Sequence, residues 1–185
     1  MDVLILHGIG AAPGAHWQSW LGARLSELGH RVLMPTLERA DHPDRAQWLA
    51  TLHGELGNVV TRNLVIVGHS LGVTTALDYI EQLDESVGCL VSVSGFGRDY
   101  GSDLNSYFLK SNTIDFARVR RHLSGAHVVY GDDDPFVPQS ALRQLALDLG
   151  VEPVVVQQGG HLNTDAGFTT FPLLLEIINE HVATA

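Results

Sequence analysis

Six short runs of apolar, largely β-branched residues, separated by longer stretches whose apolar positions recur with helical period, constrain this chain more than any other feature. The runs are VLILH (3–7), RVLMP (31–35), NLVIVG (63–68), CLVSVS (89–94), HVVYG (127–131) and EPVVVQ (152–157). Nearly all are apolar at successive positions rather than at every second one. Strands of that kind are buried on both faces, which predicts a parallel sheet covered by helices and an α/β class.

The intervening stretches supply the covering helices. Trp17, Trp20, Leu21, Leu25 and Leu28 form one stripe, and Trp48, Leu49, Leu52 and Leu56 form another within 43–57. Further stripes are Val73, Leu77 and Ile80; Ala141, Leu142, Leu145 and Leu149; and Phe171, Leu174, Leu175, Ile178 and Val182. Each is apolar on one side only, as a helix lying on a sheet requires. With 185 residues the expectation is a single domain. Residues 95–119, Gly-rich then aromatic, fit neither pattern. Two readings stand for them: a meandering connection that ends in a short helix near 115–122, or a cover over a substrate.

Charge and cysteine content narrow the partners. Eleven Lys and Arg against 21 Asp and Glu give a net charge of -10, which repels polyanions and argues against nucleic acid. The chain has one cysteine, Cys89, so no internal disulfide and no Cys-rich metal site is expected. The N-terminal MDVLILHG carries an acid and only a short apolar run, unlike a signal peptide or a membrane span. The expectation is a soluble cytoplasmic protein that neither enters nor binds a membrane.

The stretch VIVGHSLGVTTAL places Ser70 between Gly68 and Gly72, directly after an apolar run and before a helical one. G-x-S-x-G in that setting is the sharp strand-to-helix turn that exposes a nucleophilic serine, with the N–H of Leu71 at the helix start able to face an oxyanion. A serine hydroxyl is a poor nucleophile until a base takes its proton and a third group orients that base. YGDDDPFVP follows the fifth run, and of its acids Asp134 is favoured because it precedes Pro135 and lies just before a helix start at Pro138. Asp132 or Asp133 can instead serve turn or helix-end amides. The contiguity of the three acids argues against a hard-cation loop. For the base, His161 in the glycine-marked loop after the last run is preferred over His69 in the turn and His7 at the end of the first run, both read as structural or as supports behind the reacting groups. His16 and the remaining histidines are read as surface or core residues.

The order Ser70, Asp134, His161 is that of α/β-hydrolases, not of chymotrypsin or subtilisin. The loop HGIGAAPGAHW would give the second oxyanion donor from Ile9 or Gly10. A dinucleotide-binding reading of GIGAAPG fails, since the third glycine is displaced to Gly14 and Pro35 stands where a ribose-binding acid is wanted. No cofactor and no metal is expected. Trp17, Phe96, Tyr107, Phe108 and Phe136 are candidates for an acyl or alcohol pocket.

HGIGAAPGAHWQSWL, VGHSLG, GDDDPFVP and GGHLN together resemble the small serine hydrolases of the retinoblastoma-binding-protein-9 and YdeN type, within the α/β-hydrolase superfamily. The resemblance spans most of the chain. It implies a compact α/β-hydrolase fold, a three-layer α/β/α sandwich without the usual first two strands or a large cap domain, and a triad of Ser70, Asp134 and His161. The sheet is then expected to be parallel, with about six strands in the order 2-1-3-4-5-6. FGRDYGSDLNSYF (96–108) departs from the family pattern. The expected function is hydrolysis of small carboxylic esters or thioesters. The alternatives are acyl transfer or amide cleavage by the same residues, and a hydrolase-fold binding protein with a protein or ligand partner.

Overall fold

The computed structural model describes residues 1–57 and 59–184. Its strands are β1 (Asp2–Leu6), β2 (Arg31–Leu33), β3 (Leu64–His69), β4 (Val87–Val93), β5 (Leu123–Gly131) and β6 (Val154–Val156). Its helices are α1 (Gln18–Glu27), α2 (Arg45–Leu56), α3 (Leu71–Gln82), α4 (Ser106–Lys110), α5 (Phe116–Arg121), α6 (Gln139–Leu149) and α7 (Pro172–Thr184). The strands form one sheet in the order β2-β1-β3-β4-β5-β6, every neighbouring pair parallel. This is the predicted order.

The apolar runs divide with period two between the sheet's faces. Leu4, Leu6, Leu64, Ile66 and Leu90 pack with residues of α2, α3, α5 and α6. Val3, Ile5, Val65, Val67 and Val91 pack with residues of α1 and α7. Trp17 and Trp48 are fully buried, one on each side. No helix among the described residues is long and apolar enough to cross a membrane.

Three expectations need correction. The outer strands β2 and β6 span three residues each and are not buried on both faces; Val154 and Val155, on edge strand β6, are 38% and 41% exposed. β5 starts at Leu123, four residues earlier than predicted, since Ser124 and Gly125 interrupt the apolar signal although Leu123 and Gly125 pair with Val87 and Cys89 of β4. His7 follows β1 rather than ending it. The segment that begins at 95 forms two short helices, α4 and, running on past 119 to Arg121, α5, the second N-capped by Asp115, whose carboxylate accepts from the N–H groups of Ala117 and Arg118.

Every β-strand of a parallel sheet points the same way, so the loops leaving β1, β3, β5 and β6 gather at one edge. The order reverses between β1 and β3, and a crevice opens there. Those loops carry Ile9, Ser70, Asp134 and His161.

Candidate active site

Ser70 stands between the last residue of β3 and the first of α3 with φ 53° and ψ -124°, a conformation that residues with a Cβ avoid. Such strain costs roughly 1–3 kcal/mol and survives only where the surroundings fix it. Here the Ser70 N–H donates to the Val93 carbonyl at 2.9 Å and the Ser70 carbonyl accepts from Val73 at 3.0 Å. The glycines provide room. A Cβ on Gly68 would lie 2.9 Å from Val73 Cα, one on Gly72 would lie 2.5 Å from the His7 carbonyl oxygen, and one on Gly8 would lie 2.9 Å from Ser70 Cβ. The turn and the loop after β1 are therefore in contact.

The three aspartates have separate partners. His161 Nδ1–H donates to Asp134 Oδ2 at 2.8 Å, while Asp134 Oδ1 accepts from the N–H groups of Phe136 (2.9 Å) and Val137 (3.0 Å). The Asp134 side chain has no exposed surface. Asp132 and Asp133 instead accept, each at 2.7 Å, from the backbone N–H groups of Gln158 and Gly160 in the His161 loop. That loop needs such ties, because Gln158, Gly160 and Leu162 all have positive φ. Gly131 makes the approach possible: a side chain there would strike the backbone of Gly159 and Gly160.

Two further side chains grip the same loop. Trp17 Nε1–H donates to the Leu162 carbonyl at 2.9 Å, and His69 donates from Nε2 to the His161 carbonyl at 2.9 Å. A carbonyl only accepts, so the His69 proton lies on Nε2. Its Nδ1 is buried with no hydrogen-bond partner among the described residues. Burial, reinforced by the neighbouring His161, pushes His69 well below the ordinary imidazole range. His16, read from the sequence as a surface or core residue, belongs to this group: its Nδ1 accepts from the Thr164 N–H at 3.2 Å.

On the oxyanion side the two candidates after β1 separate. The Gly10 N–H is spent on the Ala40 carbonyl at 2.8 Å, so of Ile9 and Gly10 only Ile9 keeps its donor. His7 orients it. Leu37 donates its N–H to His7 Nε2 at 3.1 Å, which places the ring proton on Nδ1, and Nδ1 donates to the Gly8 carbonyl at 2.9 Å. The Gly8 carbonyl and the Ile9 N–H belong to one trans peptide plane and point in opposite directions. Fixing one aims the other.

A cavity of about 440 Å³ unites these groups, with Ser70, His161, His16 and His69 on its polar walls and Ile9, Leu104, Phe136 and Val137 among its apolar ones. Phe136 is the only one of the sequence's aromatic pocket candidates to line it. Trp17 and Phe96 are instead 0% and 1% exposed and lie in the core. Tyr107 and Phe108 border a larger hollow of about 560 Å³ beside α2, whose lining contains none of Ser70, Asp134 and His161. Tyr100, Leu104 and Asn105 bring residues 95–119 to the cavity as a wall.

Comparison with known proteins places the family and the fold. The chain is 28% identical to YdeN of Bacillus subtilis (strain 168) over 182 residues, 97% of this chain and 95% of that one. The crystal structure of the B. subtilis ydeN gene product superposes with a TM-score of 0.91, covering 98% of each chain. Est1E from Butyrivibrio proteoclasticus (TM-score 0.76, 17% identity, 98% of this chain and 88% of that one) and the thioesterase domain from the curacin biosynthetic pathway (TM-score 0.64, 18% identity, 86% and 84%) share the fold, which is the α/β-hydrolase fold in a compact form. The family model described as "Serine hydrolase" matches residues 3–180, and the chain belongs to that family.

Proposed function

We propose that the protein hydrolyses small carboxylic esters or thioesters through an acyl-enzyme on Ser70. One observation carries the reading: the Asp134 bond fixes the His161 proton on Nδ1, leaving Nε2 as a proton acceptor in the cavity that Ser70 also lines. In the first step Ser70 Oγ attacks the carbonyl carbon while its proton passes to His161 Nε2. The N–H groups of Leu71 and Ile9 stabilise the tetrahedral oxyanion. Collapse breaks the bond to the alcohol or thiol, which leaves with the His161 proton. Water then attacks the acyl-enzyme, gives a proton to His161 and releases the acid, restoring the Ser70 hydroxyl.

Asp134 stabilises the imidazolium in both halves without itself taking a proton. The reaction uses no cofactor. The lone cysteine, buried Cys89, supports a reducing compartment such as the cytoplasm. Turnover of a chain-length series of p-nitrophenyl esters and acyl thioesters tests the proposal. Ser70→Ala is expected to lower kcat by about 10⁴- to 10⁶-fold; equal turnover by the two proteins would remove Ser70 from the chemistry and favour a binding role.

A further inference from the structure

We propose that His16 is a substrate-recognition residue whose neutral imidazole donates a hydrogen bond from Nε2–H to a second oxygen of an uncharged acyl substrate. This deepens the hydrolase reading and rests on it.

His16 lines the cavity with Ser70 and His161, and its ring meets that of His69 edge-on at 5.2 Å. Its tautomer is fixed by the company of Nδ1. That atom faces two groups of Thr164, the backbone N–H at 3.2 Å and the hydroxyl oxygen at 3.1 Å. A backbone N–H only donates, so Nδ1 must hold a lone pair and the ring proton must sit on Nε2. Protonating the ring would set two N–H groups against each other. Burial and the nearby His161 both lower the His16 pKa, outweighing Asp165, which agrees with that geometry. The side chain is thus a donor of constant charge and orientation, unsuited to shuttling protons and suited to reading an acceptor.

His16 has φ 59°, in the left-handed region where Asn, Asp and His occur more often than other residues with a Cβ. Asn would answer the Thr164 N–H equally well. Of the two functions of the ring, Nε2–H alone demands histidine.

The rest of the lining defines the substrate's charge. Among the described residues the cavity wall includes no Lys, Arg, Asp or Glu, and much of it is apolar, as at Ile9, Ala12, Leu104 and Phe136. A carboxylate or phosphate would enter without a countercharge, on a protein of net charge -10. An ether, hydroxyl or carbonyl oxygen fits both the donor and the neutrality.

The test compares kcat/KM for p-nitrophenyl esters of straight-chain acids with isosteric esters in which an ether oxygen replaces the third, fourth or fifth chain atom. A parallel set places the oxygen in the alcohol of butyrate esters. Each oxygen-to-methylene ratio is measured in the wild type and in His16→Asn, which retains an acceptor for Thr164 and tolerates the backbone but lacks a group at Nε2. His16→Gly, also at ease at this φ, is the second variant. At one oxygen position the ratio should fall about 3- to 10-fold in both variants, the worth of one neutral hydrogen bond. If His16 only braced the Thr164 loop, all substrates would slow together and every ratio would stay unchanged, which overturns the proposal. Phosphonylation of Ser70 by a fluorophosphonate separates the two failures: an adduct with unchanged ratios removes the His16 assignment alone, and the absence of an adduct removes the hydrolase reading with it.

Discussion

The carboxylates of Asp132, Asp133 and Asp134 all accept hydrogen bonds, yet only Asp134 accepts from an imidazole. Asp134→Asn should therefore lower kcat by roughly 10²- to 10⁴-fold, since an amide cannot hold the His161 tautomer in the same way. Asp132→Ala and Asp133→Ala each free one loop N–H at an exposed position and should cost about tenfold or less. Steady-state kinetics of the three variants on one ester decides it; equal losses would mean that bracing of the loop, not the Asp134 contact, governs the rate. The sequence favoured Asp134 through Pro135 and Pro138, a local signal, and offered turn or helix-end amides as partners for Asp132 or Asp133; both instead accept from the His161 loop, 26 and 27 residues away, which no local signal shows. His16 escaped it for the same reason. Its partner Thr164 lies 148 residues away.

Among the elements, α2, α3 and the segment after β4 are joined by one buried ion pair. Arg45 donates from Nε and Nη2 to the two Asp78 oxygens, each at 2.7 Å, and from Nη1 to the carbonyls of Phe108, Leu109 and Asn112. The side chains are 7% and 2% exposed. Thus the segment that brings Tyr100, Leu104 and Asn105 to the cavity is tied to the helices at its far end. Arg45→Met strands a buried carboxylate and three carbonyls and should destabilise the protein by about 3–5 kcal/mol. Arg45→Met with Asp78→Leu should cost less than the single change, because no unpaired charge remains. Urea unfolding of both variants checks the order, and a single-variant loss below about 1 kcal/mol would contradict the buried-pair account. Periodicity exposed α2 and α3 but not this link, whose members are 33 residues apart. It also placed β1, β3 and β4 closely, missed the first four residues of interior β5, where Ser124 and Gly125 break the apolar signal, and drew the edge strands β2 and β6 too long, since an edge has apolar residues without the second cover that periodicity assumes.

At the scale of the molecule, acid stability follows from buried histidines. His7, His16 and His69 are all held below their ordinary pKa of 6.5, burial being the largest cause in each. The unfolded chain therefore binds more protons than the folded one once pH falls below about 6.5, so stability is fullest above that value and declines on acidification. Tm should fall between about pH 7 and 5.5 in scanning calorimetry at constant ionic strength. A flat or rising Tm would mean that these rings are protonated in the folded state.

An activated Ser70 reacts within a brief exposure to a fluorophosphonate, and the intact mass of the protein reads out the adduct. One adduct on the wild type, none on Ser70→Ala and labelling slowed by about 10²-fold or more on Asp134→Asn is the predicted result. An unlabelled, folded wild type, or labelling that persists in Ser70→Ala, would mean that Ser70 is not the activated nucleophile.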